Sequence, residues 1–149
     1  MSFLKKDILI PKVKGISLAV VHEYNNTDWN AYIINERSID LEMVIVVTKG
    51  YSETKKTATF RKKIDVLPVK SFAKIEMLLE DVLSINNRFN VSFFEGNTLY
   101  EKSFEFKKNT INEKALQQIP LINLKGYFKI LTQFFCKFLK RFFSVFIHV

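Results

Sequence analysis

The sequence predicts an all-β fold, an antiparallel β-sandwich of about eight strands, and three observations support this prediction. Apolar and polar residues alternate with a period of two in runs between residues 8 and 106. Turn-forming residues separate these runs at a spacing of roughly 8–12 residues. The chain has 149 residues, which is enough to bury one hydrophobic core without disulfides or metals. Together these features predict half-buried antiparallel strands around a single core.

The alternation assigns residues to the two faces of each strand. In each run, every second residue is expected to lie on the same face of the strand. The sets are Ile16, Leu18 and Val20; Leu41, Met43, Ile45 and Val47; Val69, Ser71, Ala73, Ile75 and Met77; Phe89, Val91 and Phe93; and Phe104 and Phe106. Glu42 and Val44 are expected on the opposite face of their strand. Trp29 has Ala31 and Ile33 in phase behind it, so we expect it in the core.

Four polar segments lie between the apolar runs and predict turns: 25–28, 35–38, 49–52 and 95–97. Gly96-Asn97 suits a tight hairpin, because glycine adopts a positive φ without strain. The number and spacing of strands favour an immunoglobulin-like sandwich. The chain has one cysteine, so the fold would lack the inter-sheet disulfide of antibody domains.

The last 24 residues differ in composition from the rest of the chain. Residues 126–149 hold seven of the fifteen Phe, the only cysteine (Cys136) and no acidic residue. Polar residues recur every three or four positions, which predicts an amphipathic helix lying on a membrane surface. We therefore divide the chain into a β-domain at 1–125 and a cationic helical tail at 126–149. Membrane contact is expected from Phe134, Phe135, Phe138, Phe142 and Phe143.

A shorter helix is expected before the tail, over 113–118, because Thr110 or Asn112 suits an N-cap and Pro120 would end it. The segment 121–124 would follow as a further strand or as a packed terminal stretch.

Few residues carry the chemistry of a catalytic or metal site. The two histidines, His22 and His148, have no other ligand type at a clustered spacing, and His22 is expected at the edge of a strand. The four glycines are isolated, and no catalytic motif is present. We therefore expect a protein without enzymatic activity, cofactor or metal. The single cysteine and the charged N-terminal segment favour a cytoplasmic location.

The formal net charge of +8 is concentrated in two segments, 49–74 with +6 and the tail with +4. The first segment supplies the candidate contacts to nucleic acid or another anion: Lys55, Lys56, Arg61, Lys62, Lys63, Lys70 and Lys74. Phe60 and Phe72 lie among them and would stack on bases while the cations contact phosphates. In the competing interpretation, these lysines form the solvent face of strands and protect a sheet edge from aggregation.

Five segments carry a resemblance to known proteins: KDILIPKVKGISLAVV, DWNAYIIN, LEMVIVVTKGY, KKTATFRKKI and IPLINLKG. Over residues 5–126 the chain resembles a family of small bacterial proteins that often bear the label phenylalanyl-tRNA synthetase subunit alpha. The resemblance implies a role associated with RNA or translation, and it supplies no catalytic residue. Family members end close to LINLKG, so the tail is either a membrane-surface anchor or the product of a frameshift or read-through.

These observations favour a non-enzymatic binding module that contacts a protein partner, or a second copy of itself, through a sheet face or an edge strand. The alternatives are an RNA-associated accessory protein and a peripheral membrane protein attached by residues 126–149.

Overall fold

The computed structural model describes residues 13–22, 28–111, 117–122 and 125–129 of the protein. Nine strands and one short helix lie within these ranges: β1 (Ile16–His22), β2 (Trp29–Asn35), β3 (Leu41–Tyr51), β4 (Phe60–Leu67), β5 (Ser71–Leu78), α1 (Glu80–Leu83), β6 (Asn86–Glu95), β7 (Thr98–Phe106), β8 (Gln117–Gln118) and β9 (Lys125–Lys129). In this part of the chain, no helix has the length and apolar character that crossing a membrane requires.

The strands form two antiparallel sheets, which confirms the predicted all-β class. One sheet has the order β5-β2-β1-β9-β8 and the other the order β4-β3-β6-β7. Side chains from both sheets share one hydrophobic cluster, in which Leu18, Ile33, Val46, Phe89 and Phe106 are buried. Removal of this apolar surface from water is the main driving force for bringing the two sheets together.

The predicted alternation is confirmed in β6 and β7. Phe89, Val91 and Phe93 are buried, and the residues between them are exposed or half-buried. Phe104 and Phe106 are buried at the end of β7. Gly96, with φ of 59°, lies in the tight turn between the two strands, as predicted for this hairpin.

The prediction of half-buried strands is wrong for β1 and β2, which are buried on both faces. A second apolar cluster covers their outer face, formed by Ala19, Val21, Ile34, Ile119 and Ile122. The covering residues come from the segment around β8, far along the chain, so the period of β1 gives no sign of them. Trp29 is 4% exposed, which confirms its predicted place in the core.

The prediction for β3 is wrong from Met43 onward. Leu41 is buried, but Met43 and Ile45 are exposed, and Val44 and Val46 are buried in their place. The pairing of β3 with β6 shifts between Glu42 and Ile45, and Met43 has φ of 47°. A β-bulge of this kind adds one residue to a strand and exchanges its two faces from that point onward.

Two further expectations are corrected, one about the end of β3 and one about the buried face of β5. The turn predicted at 49–52 begins too early, because β3 continues to Tyr51. In β5, Ile75 is buried as expected, whereas Met77 is exposed and Leu78 is buried. The pairing of β2 with β5 shifts between Ala31 and Tyr32, so a second irregularity changes the phase here too.

The described residues contradict part of each helix predicted near the C-terminus. Residues 126–129 lie in β9, which pairs with β1, so the boundary proposed at Gly126 falls inside a strand of the five-stranded sheet. The remainder of the predicted tail helix, 130–149, lies outside the described residues. Of the short helix expected at 113–118, residues 117–118 form β8, and 113–116 lie outside the described residues.

Two buried asparagines fix the ends of the sheets. The Asn35 amide nitrogen donates to the carbonyl oxygens of Ile39, Leu67 and Pro68 at 3.0, 3.2 and 3.0 Å. At the other end, the Asn87 amide nitrogen donates to the carbonyl oxygens of Val82 and Ile85 at 2.8 and 3.0 Å. Buried backbone carbonyl groups need hydrogen-bond donors. Each asparagine supplies them and thereby fixes the loops to which these carbonyl groups belong.

Candidate functional site

All seven predicted cationic contacts are exposed, but the fold distributes them over different surfaces. Lys55 and Lys56 precede β4, and Lys70 lies in the turn after it. Arg61 and Lys63 share the outer face of the four-stranded sheet, and Lys62 between them points to the opposite face. Lys74 lies on β5, in the other sheet, paired with Tyr32. The cations therefore follow one flank of the fold and do not form a single basic face.

The two aromatic residues of the basic segment are also separated. Phe60 begins β4, whereas Phe72 lies on β5 with its ring edge-on to Tyr32 at 5.9 Å between centroids. The ammonium group of Lys70 donates to the carbonyl oxygen of Glu36, so Lys70 is held against the segment that follows β2. This arrangement lacks the continuous row of aromatic rings that single-stranded RNA platforms use.

The predicted membrane contacts Phe134, Phe135, Phe138, Phe142 and Phe143 lie outside the described residues. Cys136 and His148 also lie outside them.

The outer face of the four-stranded sheet carries a surface that the sequence pattern missed. We call it the apolar patch and define it by five exposed side chains: Met43, Ile45, Val66, Phe94 and Leu99. Their exposed fractions range from 36% for Phe94 to 51% for Met43. The residues come from all four strands, β4, β3, β6 and β7. Exposed apolar side chains grouped on one face are typical of an interaction surface. In this group the exposed carboxylate of Glu42 lies between Val66 and Phe94.

The strand register places the patch at one end of the face. Val66 pairs with Glu42, Glu42 pairs with Phe94, and Phe94 pairs with Leu99, so these four residues form one row across the sheet. The next row is formed by Lys63, Ile45, Ser92 and Glu101. Ile45 lies diagonally from Val66 and Phe94, at the roughly 7–8 Å that long side chains can bridge, so it adds an apolar residue to the second row.

The other end of the same face is polar. Its third row contains Arg61, Val47, Asn90 and Ser103, and the Ser103 hydroxyl donates to the Asn90 side-chain oxygen at 2.8 Å. Asn90, Ser92, Glu101 and Ser103 line a shallow depression of about 510 Å³ together with Val47. The face therefore combines an apolar half with a half rich in hydrogen-bonding groups, as interfaces with an apolar core and polar rim do.

A fixed cluster closes the polar end of the face. The Tyr51 hydroxyl donates to the Glu105 carboxylate, and the Arg88 guanidinium lies 3.8 Å from the same carboxylate. The guanidinium also stacks over the Tyr51 ring at 5.3 Å from its centroid. These contacts hold Arg88 and Glu105 in place, so neither side chain needs large reordering when a partner approaches.

A separate cleft of about 440 Å³ lies at one end of the sheets. His22 and Trp29 form one wall, with their rings 4.7 Å apart, and Glu80, Ser84 and Asn109 supply polar groups. His22 ends β1, as expected of a strand-edge residue. Within the described ranges, no three His, Cys, Asp or Glu residues are grouped closely enough to hold a metal ion.

One carboxylate lies between the sheets. Burial raises the pKa of Glu76 above its ordinary value, and a hydrogen bond from the Thr48 side chain partly opposes this rise. Glu76 is on β5 and Thr48 on β3, so this contact joins the two sheets near their β4–β5 side.

Comparisons of the chain with protein-family models, with curated proteins and with solved structures found no significant match. The candidate surface therefore rests on geometry alone. Sequence inspection missed Met43 and Ile45, because their alternation with Leu41 indicated a buried face. The adjacent pair Phe93-Phe94 is a signal that could have been used, since successive residues of a strand point to opposite faces and only one of them can be in the core.

Proposed function

We propose that the protein is a non-enzymatic protein-interaction module and that the outer face of the four-stranded sheet is its binding surface. The observation that carries this proposal is the apolar patch of Met43, Ile45, Val66, Phe94 and Leu99, spread over four adjacent strands. Placing these side chains against a partner removes apolar area from water at roughly 25 cal/mol per Å². The hydrogen-bonding groups beside the patch would give the contact its specificity.

A matched pair of substitutions tests this proposal. Leu99, in the patch, and Leu79, before α1, are both exposed, at 43% and 57%. Tagged wild-type protein, Leu99→Glu and Leu79→Glu are used to co-purify partners from the native cell, and each partner is then purified and its affinity measured by calorimetry. Leu99→Glu should weaken binding at least tenfold because it buries a charge, and Leu79→Glu should leave it unchanged. Equal affinity of all three forms would refute the proposal.

RNA association is the second candidate, favoured by the exposure of all seven cations along the flank formed by β4 and β5. It would also agree with the synthetase label of the family that residues 5–126 resemble. Binding of tRNA should then fall steeply with salt, since each phosphate contact releases counterions. Lys62→Glu combined with Lys63→Glu should reduce the affinity and the salt slope. Affinity that is insensitive to both changes would remove this candidate.

Attachment to a membrane surface through the part of the tail that follows β9, residues 130–149, is a third proposal. Flotation of the full-length chain with anionic vesicles, and its loss after truncation at residue 129, would support it. This truncation keeps all of β9, so the five-stranded sheet retains its strand.

The finer description of the fold is also a proposal, an immunoglobulin-like sandwich. The order β5-β2-β1 corresponds to strands E-B-A of that fold, and β4-β3-β6-β7 corresponds to C′-C-F-G. The two added strands, β9 and β8, extend the first sheet beyond β1.

A further inference from the structure

We infer that the edge of β4 is a second binding surface, which takes an extended acidic segment of a partner protein as an added antiparallel strand. This contact goes beyond the interaction face proposed above, because it uses the backbone of an edge strand and not the outer face of the sheet. In strand addition, main-chain hydrogen bonds supply affinity, and side chains that alternate between the two faces supply specificity.

β4 has the length and regularity that strand addition requires. In the described part of the chain it pairs with β3 on one side and with no strand on the other. Its register with β3 has no shift between Phe60 and Leu67, and six of its eight side chains are exposed. Pro68 follows the strand, so no proline interrupts the row of backbone donors and acceptors. An extended segment can therefore approach along the whole strand.

The other edge strands among the described elements are less suited. β8 has two residues, and the pairing of β5 with β2 is irregular between Ala31 and Tyr32. β7 is long and its pairing with β6 is regular, but it carries both signs of charge, in Glu101, Lys102 and Glu105. β7 therefore selects no single charge in a partner.

The charge of β4 defines the class of segment that fits it. Arg61, Lys62 and Lys63 are consecutive and exposed. Arg61 and Lys63 lie on the outer face of the sheet, and Lys62 points to the opposite face. An added strand directs its own side chains to both faces in the same way, so three consecutive acidic residues would lie beside the three cations. Lys63 contacts Asp65 at 3.1 Å, but both side chains are largely exposed, so this pair contributes little and can exchange partners.

The same cations disfavour other occupants of this edge. A second copy of β4 would bring two sets of Arg61, Lys62 and Lys63 together along one ladder, and lysine on an edge strand opposes such pairing. A single-stranded RNA would lay its phosphates along one groove, whereas these cations alternate between two faces of a strand. An acidic strand has neither disadvantage.

The second half of β4 defines the remainder of the added segment. Ile64 is half-buried and packs against the core, and Val66 is exposed on the outer face. Asp65 lies between them and would repel an acidic neighbour. Because every strand pair of this sheet is antiparallel, we expect the same direction for the added strand. The segment then begins with apolar residues opposite Val66 and Ile64 and ends with acidic residues opposite 61–63.

A synthetic peptide of this pattern is the probe. Thr-Val-Thr-Ile-Glu-Glu-Glu-Thr, with both ends blocked, is titrated into the isotope-labelled full-length protein and followed by NMR. The amide signals of β4 should change until the site is saturated, and the affinity should fall as salt is added. Absence of saturable change at millimolar peptide would overturn the inference.

N-methylation of the peptide tests whether its backbone pairs with β4. In an added strand, only every second residue directs its N–H toward the neighbouring strand. Methylation of one alternating set of amides should therefore weaken binding at least tenfold, and methylation of the other set should leave it nearly unchanged. The two peptides have the same sequence and charge, so equal affinity of both would indicate attraction by charge alone and would overturn the inference.

A matched pair of protein variants locates the contact. Lys62→Glu combined with Lys63→Glu reverses the charge of β4, and Lys107→Glu combined with Lys108→Glu makes the same change at exposed residues after β7, beside the opposite edge. The first variant should bind the acidic peptide at least tenfold more weakly and should instead bind a peptide with three Lys in place of the three Glu. The second should keep the preference of the wild type. Circular dichroism and the midpoint of thermal unfolding establish that each variant is folded. Equal affinity of both variants for the acidic peptide would overturn the inference.

The outcomes for the two surfaces are distinguishable. Leu99 lies on β7, three strands from β4, so Leu99→Glu should leave peptide binding unchanged. Loss of a co-purified partner through Leu99→Glu, with no binding of the peptide, keeps the interaction face and overturns the inference. Peptide binding at β4 together with a partner that is insensitive to Leu99→Glu does the reverse. Binding of tRNA through Lys62 and Lys63, without binding of the peptide, assigns this edge to RNA and also overturns the inference.

Discussion

Asn35 is predicted to be among the most sensitive positions of this protein. Its side chain is buried, and its oxygen accepts from the amide of Arg37 at 2.9 Å. Its amide nitrogen donates to the carbonyl oxygens of Ile39, Leu67 and Pro68, with one of its two hydrogens shared between two of them. Asn35→Ala leaves these backbone groups without their partner at the junction of the β2–β3 and β4–β5 connections. One buried unsatisfied group costs about 1–3 kcal/mol, and only part of this set can be rehydrated.

We therefore expect Asn35→Ala to lower the free energy of unfolding by about 3–5 kcal/mol, a large share of the typical 5–15 kcal/mol of a domain. The assay is urea denaturation followed by circular dichroism, with the m-value checked for two-state behaviour. Asn90→Ala is the control, because Asn90 is exposed and bonds only to Ser103 among the contacts described above. It should cost less than about 1 kcal/mol. A similar small loss in both variants would refute the reasoning.

Three further predictions concern single residues. Glu76→Gln should raise the thermal midpoint at neutral pH. The pKa of Glu76 is raised in the folded protein, so the wild type loses stability as the pH rises above the ordinary value of 4.5. The difference in midpoint between variant and wild type should vanish below pH 4.5, and a difference that is constant with pH would contradict the prediction. Gly15→Ala should destabilise by about 1–2 kcal/mol in urea titration, since Gly15 has φ of 75° and an added Cβ would lie 2.8 Å from the Arg37 Cγ. Met43 is exposed and has φ of 47°, a conformation that glycine adopts more easily than other residues. Met43→Gly should therefore leave the free energy of unfolding unchanged or raise it by up to about 1 kcal/mol, and Met43→Val should lower it. A Val variant more stable than the Gly variant would exclude the bulge.

The elements that the sequence predicted correctly are those in which local pattern and tertiary packing agree. In β6 and β7 the alternation of Phe89, Val91 and Phe93 matches the buried face, and Gly96 marks the turn. The pairing of β6 with β7 contains no shift of register, so a period of two holds along both strands. The candidate cations were expected on the surface in both interpretations, as anion contacts or as the solvent face of strands, and all seven are exposed.

The elements that the sequence did not predict depend on contacts distant in the chain. The second cluster over β1 and β2 needs Ile119 and Ile122, about 100 residues away, and no local period reveals it. The bulge at Met43 exchanges the faces of β3 after two residues, so a correct pattern gave the wrong face. This single irregularity moves Met43 and Ile45 into the apolar patch, which is why the candidate site could not be located from the pattern alone.

The most direct test of the interaction face is to map it by NMR. Amide chemical shifts of the labelled protein are followed as the concentration of the chain, or of a co-purified partner, is raised. The account predicts that the largest changes occur on β3, β4, β6 and β7 around Ile45, Phe94 and Leu99, with little change in β1 and β2. Changes centred on Lys70 and Lys74, or on the cleft at His22, would contradict it.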